Sequence, residues 1–238
     1  MSPRIAVDVS PRGPAVLVRL VGELGLANVA TVRTALLKCV ADEPSGVIVE
    51  LDRTTVVTPL ALGVFGAVAR RASDWPGLPL LLVARTSQMR ELLRRCAVPT
   101  FAAVAEAVRT LQGRPARQLA TLELPPTTDS PAAARRFVTA TLAAWQVDGV
   151  REDACLIVSE LVENAILHGH SAAKVRLGLR RGKVTVAVRD ASDTPPSRLA
   201  PGSASTGGRG VFLVEAMSEA WGTTPTWDGG KVVWAVLG

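Results

Sequence analysis

With 238 residues, 48% hydrophobic and 20% charged, the chain has the make-up of a packed globular protein of one or two domains, not of a disordered one. No apolar run is long enough to cross a bilayer, and the opening Met-Ser-Pro-Arg-Ile-Ala-Val-Asp lacks the apolar core and cleavage site of a secretory signal; a cytoplasmic protein with no membrane partner is expected. The net charge of +6 is spread over both halves, aromatics make up 4% and tyrosine is absent, so no base-stacking platform and no direct nucleic-acid binding are expected.

The first half alternates short apolar strands with amphipathic helices. Ala15-Val-Leu-Val-Arg-Leu-Val21 reads as a strand and Gly22-Glu23-Leu24 as a turn. A helix follows from about Ala27 to Val40, then a buried strand, Gly46–Leu51. The next helix covers roughly Pro59 to Ser73, with Pro59 suited to its first turn. Leu78–Val83 is a strand, Ser87 an N-cap for the helix Gln88–Cys96, and Val104–Leu111 a closing helix. This β-α-β-α-β order predicts helices packed on a mostly parallel sheet. Gln112-Gly-Arg-Pro-Ala116 breaks the apolar periodicity and reads as a linker, which divides the chain into domains at 1–112 and 117–238.

The second half begins with the strand Gln118–Leu124. Ser130-Pro131 starts a helix whose apolar face includes Phe137, Leu142 and Trp145, and a second helix runs from Arg151 to Gly169. Lys174–Leu179 and Lys183–Arg189 form a hairpin about Arg181-Gly182. Ala191–Thr206, rich in Pro, Ser, Ala and Thr, reads as a mobile loop. A helix from Val211 to Trp221 and a closing hairpin about Asp228-Gly-Gly-Lys231 complete the chain. Helices on one face of a mainly antiparallel sheet fit this order, giving an α/β fold of two different kinds in the two halves.

Three groups of residues carry chemistry. Glu160, Asn164 and His168 recur every four residues in an apolar helical run, which lines them up on nearly one face. An exposed polar stripe gives the same spacing. The strand Val184–Asp190 ends in a carboxylate, able either to accept a hydrogen bond from an adenine amine or to make an Asx turn. Gly207, Gly208 and Gly210 allow backbone to approach a phosphate chain, and the helix after them offers free N–H groups; a simple glycine-rich turn has the same composition. Asn164 offers a neutral oxygen to a Mg²⁺ shell. Glu160 is placed to act as a general base, or is a solvated carboxylate like Glu163. Arg209 reaches a phosphate or a partner's acidic surface, and His168 serves helix geometry. Cys39, Cys96 and Cys155 are too dispersed for a disulfide or metal framework, and His168 and His170 are the only histidines, which argues against zinc.

Taken in order, these boxes make residues 117–238 resemble the ATPase fold shared by gyrase, Hsp90, histidine kinases and MutL, and within it the anti-sigma-factor serine kinases. Ser159-Glu160-Leu-Val-Glu-Asn164-Ala-Ile-Leu-His168-Gly resembles the family's helix box, Val188-Arg-Asp190-Ala-Ser its adenine box, and Thr206-Gly-Gly-Arg-Gly210-Val-Phe-Leu-Val214 its glycine-rich lid box. The terminal Gly229-Gly-Lys-Val-Val-Trp234 matches the family's habit too. The resemblance implies an α/β sandwich binding ATP and Mg²⁺, with Glu160 as base, Asn164 on the metal, Asp190 on adenine, and His168, Gly207, Gly208, Arg209 and Gly210 in the nucleotide site. It also implies a homodimer paired through the sheet.

Residues 1–112 resemble an anti-sigma-factor antagonist (STAS) domain through Val21-Gly-Glu-Leu24 and its following helix and through Val47-Ile-Val-Glu-Leu51. Family members that accept phosphate carry Asp-Ser-Ser/Thr-Gly at the second helix. Here Thr58-Pro59-Leu60-Ala61 stands instead, which removes the usual acceptor and leaves Thr54, Thr55 and Thr58 as unconventional ones. The combined expectation is an ATP-dependent partner-switching regulator. It binds a sigma factor or phosphorylates a separate antagonist, with the first half as a docking or inhibitory module. The alternative is a non-catalytic ATP-binding switch.

Overall fold

The computed structural model describes residues 4–112, 117–169, 171–192 and 209–238. The chain divides into two compact units, Met1–Ala116 and Arg117–Gly238. Residues 113–116 of the expected linker lie outside the described residues.

The first unit is built on a five-stranded sheet in sequential order: β1 (Ile5–Arg12), β2 (Ala15–Leu24), β3 (Val47–Val56), β4 (Leu80–Val83) and β5 (Thr100–Phe101). β1 and β2 pair antiparallel and the other neighbours pair parallel, so the sheet is mostly parallel, as the β-α-β pattern predicts. Parallel strands covered on both faces become almost continuously apolar, and β4, Leu-Leu-Leu-Val, is buried throughout. Val18, Val47, Val49, Leu80 and Leu82 point into one core with Leu36 and Val40 of α1 (Val29–Ala41), Phe65 and Val68 of α2 (Gly63–Asp74) and Leu93 of α3 (Ser87–Leu93). Their alternates Leu17, Ile48, Leu81 and Val83 meet Ala107 and Leu111 of α4 (Val104–Gln112) on the other face.

Three local expectations are corrected. Gly22–Leu24 is not a turn: β2 runs on to Leu24. A register shift between Arg19 and Val21 puts one extra residue on β3, the Thr54 hydroxyl donates to the Leu20 carbonyl at 2.8 Å, and Gly22 takes φ +115 where a Cβ would stand 2.3 Å from the Arg4 carbonyl oxygen. The shift bends the strand without ending it, and the close approach of Arg4 at a positive φ requires glycine at position 22. Thr86, not Ser87, caps α3, its side chain accepting from the Met89 N–H at 3.3 Å. The edge strand β1 was not expected, because its exposed alternation carries little apolar signal.

The second unit is a two-layer sandwich. Its sheet has the order β6 (Gln118–Leu124), β7 (Ala173–Arg180), β8 (Lys183–Asp190), β10 (Lys231–Leu237) and β9 (Ala220–Pro225), antiparallel at every step. Arg181 and Gly182, both at positive φ, make the two-residue turn of the β7–β8 hairpin. One face of the sheet is covered by α5 (Ser130–Ala144), α6 (Arg151–Gly169) and α7 (Arg209–Met217), with Leu142, Ile157, Val162 and Val214 packed on Val186, Val188, Val233 and Ala235. The expected helix to Trp221 ends at Met217. Trp221 lies in β9, where the chain must turn back to pair with β10.

Candidate functional site

α6 is apolar around much of its circumference because it packs on α5, α7 and the sheet at once. Ala154, Ile157, Val158, Leu161, Val162 and Ala165 are buried. Glu160 and Asn164 sit half-buried one turn apart, while Glu163 is exposed. Desolvation, with a smaller contribution from the neighbouring Glu163 carboxylate, raises the Glu160 carboxyl above its ordinary value. Ser159 is buried, donates to the Cys155 carbonyl at 2.8 Å and accepts from Arg135 Nη1 at 3.0 Å, which ties α6 to α5.

Asp190 is the last residue of β8 and stands in phase with Val184, Val186 and Val188, which face the helix layer. It is 4% exposed. Its Oδ1 accepts from Lys231 Nζ at 2.8 Å and from the Ser192 N–H at 2.8 Å. The Asx-turn reading is what the structure shows, made here by a buried carboxylate. Lys231 is 3% exposed, faces Asp190 directly in the β8–β10 register, and also donates to the Ser192 carbonyl at 3.3 Å. Sequence reasoning missed Lys231 as a site residue. Its signal is the strand phase: Lys231, Val233, Ala235 and Leu237 share a face, and that face is core. Gly230 completes the arrangement, since a Cβ there would stand 2.1 Å from the Asp190 carbonyl oxygen.

The structure thus puts Glu160 and Asn164 on the helix that packs against β8, and Asp190 on the face of β8 which that layer covers. Gly207 and Gly208 lie outside the described residues, as does the expected loop from residue 193 on. Arg209 and Gly210 open α7, which begins two residues before the expected Val211, and His168 falls in the last turn of α6; the side chains of His168 and Arg209 are not among those described. No group of three or more His, Cys, Asp or Glu side chains gathers among the described residues. In the first unit Thr54 is withdrawn as an acceptor, being buried with its hydroxyl committed to Leu20; Thr55 is exposed and Thr58 half-buried. A cleft of about 750 Å³ on that unit is lined by Asp8, Arg19, Glu50, Asp52, Arg53 and Arg85, whose charges pair as Arg19–Asp8, Arg19–Glu50 and Arg85–Asp52.

Residues 124–237 match the family model of the histidine kinase-like ATPase domain. The match spans nearly all of the second unit, and the chain joins that unit to a separate one with a mostly parallel sheet. Among solved structures the chain is similar to an anti-sigma factor antagonist from Mycobacterium paratuberculosis, with 17% identity over 46% of this chain and 95% of that one, at a TM-score of 0.41. It is similar to the RsbU and RsbW domains of a Mycobacterium tuberculosis protein, with 20% identity over 50% of this chain and 32% of that one, at a TM-score of 0.40. It is also similar to the anti-sigma factor antagonist SpoIIAA in its unphosphorylated form, with 17% identity over 47% of this chain and all of that one, at a TM-score of 0.39. No curated protein matches the chain by sequence.

Proposed function

We propose that the chain is an ATP-binding regulator of the partner-switching kind, in which nucleotide held by the second unit governs association with a sigma factor or a separate anti-sigma-factor antagonist. The observation that carries the proposal is the arrangement of Glu160, Asn164 and Asp190 about one helix-covered sheet face, inside a unit that matches a histidine kinase-like ATPase domain. Asp190 presents a buried carboxylate to the adenine amine. Gly207, Gly208, Arg209, Gly210 and His168 belong to the same nucleotide site by resemblance of their motifs. The first unit, antagonist-like by its own motifs, is a protein-docking module.

The donor set fits Mg²⁺ as a companion of nucleotide. An all-protein cage needs several carboxylates together, whereas Mg²⁺ commonly keeps phosphate and water ligands and takes one or two oxygens from the protein. The half-buried Asn164 amide oxygen is such a ligand. When bound, the ion offsets the negative charge of the phosphates. Glu160, one turn away and raised by burial, is suited to take a proton from a partner's hydroxyl, since a base works best with a value nearer the ambient pH.

One observation favours the non-catalytic reading as the alternative. The usual acceptor position in the first unit is Thr58-Pro59-Leu60, and the Thr54 hydroxyl is committed to Leu20, so phosphate has no conventional destination within the chain. In that reading nucleotide switches binding without transfer. Calorimetry with ATP in the presence and absence of Mg²⁺ tests the binding claim. Asn164→Ala is expected to lose the magnesium-dependent gain in affinity, about tenfold or more. Radiolabelled ATP with candidate antagonists separates the two readings, transfer abolished by Glu160→Ala marking the kinase. ATP affinity equal in Asn164→Ala and wild type, with no transfer to any partner, would sink the kinase reading.

A further inference from the structure

We infer that Lys231 is a specificity-determining residue, holding Asp190 as an acceptor-only carboxylate so that the pocket selects a purine with an amine, not a carbonyl, at the position Asp190 meets. The inference rests on the proposed role of Asp190 in nucleotide recognition and extends it to a residue outside the three motif boxes.

The two side chains are 3% and 2% exposed, among the most enclosed charged groups described in the unit, and are joined at 2.8 Å. They face each other because Lys231 and Asp190 are directly opposed in an antiparallel ladder and both point toward the helix layer. A buried carboxylate with no cation is penalised heavily and is driven toward its neutral form. A neutral carboxyl both donates and accepts, so it meets an amine or a carbonyl equally well. Lys231 supplies the countercharge at 2.8 Å, and a carboxylate so paired offers only acceptor oxygens. Lys231 Nζ and the Ser192 N–H both use Oδ1, and Oδ2 is engaged by neither of them. The ammonium is itself committed, to Oδ1 and to the Ser192 carbonyl. A 6-amino purine brings the donor that Oδ2 requires, whereas a 6-oxo purine brings a second acceptor against a charged one. Discrimination of this type is steep, because the wrong ligand leaves buried polar groups unpaired.

The test measures ATP and GTP affinity on the full chain, wild type against Lys231→Met, by displacement of a fluorescent nucleotide, with a thermal melt of each variant. The expected result is a fall of roughly tenfold or more in the ratio of ATP to GTP affinity in Lys231→Met. A residue that merely stabilised the fold would lower both affinities by the same factor, and an unchanged ratio overturns the inference while leaving nucleotide binding intact. Should Lys231→Met not fold, Lys231→Gln keeps a donor to Asp190 without the charge, and an unchanged ratio in that variant overturns the inference equally. A wild-type chain that binds neither nucleotide overturns the proposed function and this inference with it.

Discussion

Glu160 and Asp190 are both carboxylates in the same unit, yet their surroundings prepare them for different work. Asp190 has a cation and a backbone N–H on one oxygen, while Glu160 has a desolvating helix layer and a second carboxylate nearby. A raised folded-state value means that the native Glu160 binds a proton more readily than the unfolded chain does. Its contribution is therefore complete below the ordinary glutamate value of 4.5 and is lost as pH rises through the higher folded value. Glu160→Gln should accordingly gain stability relative to wild type as pH is raised from 4 toward 7. Parallel thermal melts across that range check it, and a difference that is constant or falls with pH refutes the account. Asp228 has the opposite sign: hydrogen bonds from Thr226 and Arg189 hold it at about 2, so its contribution is present at neutral pH and lost in acid.

At the scale of elements, the β8–β10 ladder is what makes the site. β10 is buried along its whole length, and Gly230 at its entrance lets the chain pass over the Asp190 carbonyl. The obstacle to a side chain there is backbone, which has no rotamer to yield. Gly230→Ala should therefore cost about 1–3 kcal/mol, as overpacking does, and should disturb the Asp190–Lys231 pair. Urea melts give the stability loss, and amide exchange at Asp190–Ser192 reports the local effect. Wild-type stability with unchanged exchange would show that β10 shifts freely. The elements most legible in the sequence were those with strong periodicity, and α6 and β6 have the bounds their apolar patterns predict. Gly22–Leu24 and Trp221 differ from their expected places for two physical reasons: a glycine inside an irregular strand resembles a turn, and an aromatic near the start of a strand resembles the end of a helix. Cross-strand pairing settled both.

For the whole molecule, each unit closes its own core. Phe65, Leu82 and their neighbours form clusters drawn only from the first unit, and Leu142, Val162, Val186 and Ala235 a cluster drawn only from the second. A unit with a complete core should fold without the other. Residues 117–238 expressed alone are expected to melt cooperatively and to bind ATP as tightly as the full chain; circular dichroism and calorimetry on that fragment are the checks. A non-cooperative melt would mean that the core clusters understate what the second unit needs. No helix among the described residues is long and apolar enough to cross a membrane.

Local chemistry determined much by itself: the two sheet types, the Glu160–Asn164 spacing on one helix, and the strand that delivers Asp190 all follow from periodicities of two and 3.6, which neighbouring residues encode. The commitment of the Thr54 hydroxyl to Leu20, the β3 bulge opposite the Arg19–Val21 stretch, and above all the pairing of Lys231 with Asp190 across 41 positions of sequence were decided by tertiary structure. Strand register is a property of two segments together, and whether a charge is buried depends on what a distant segment lays beside it.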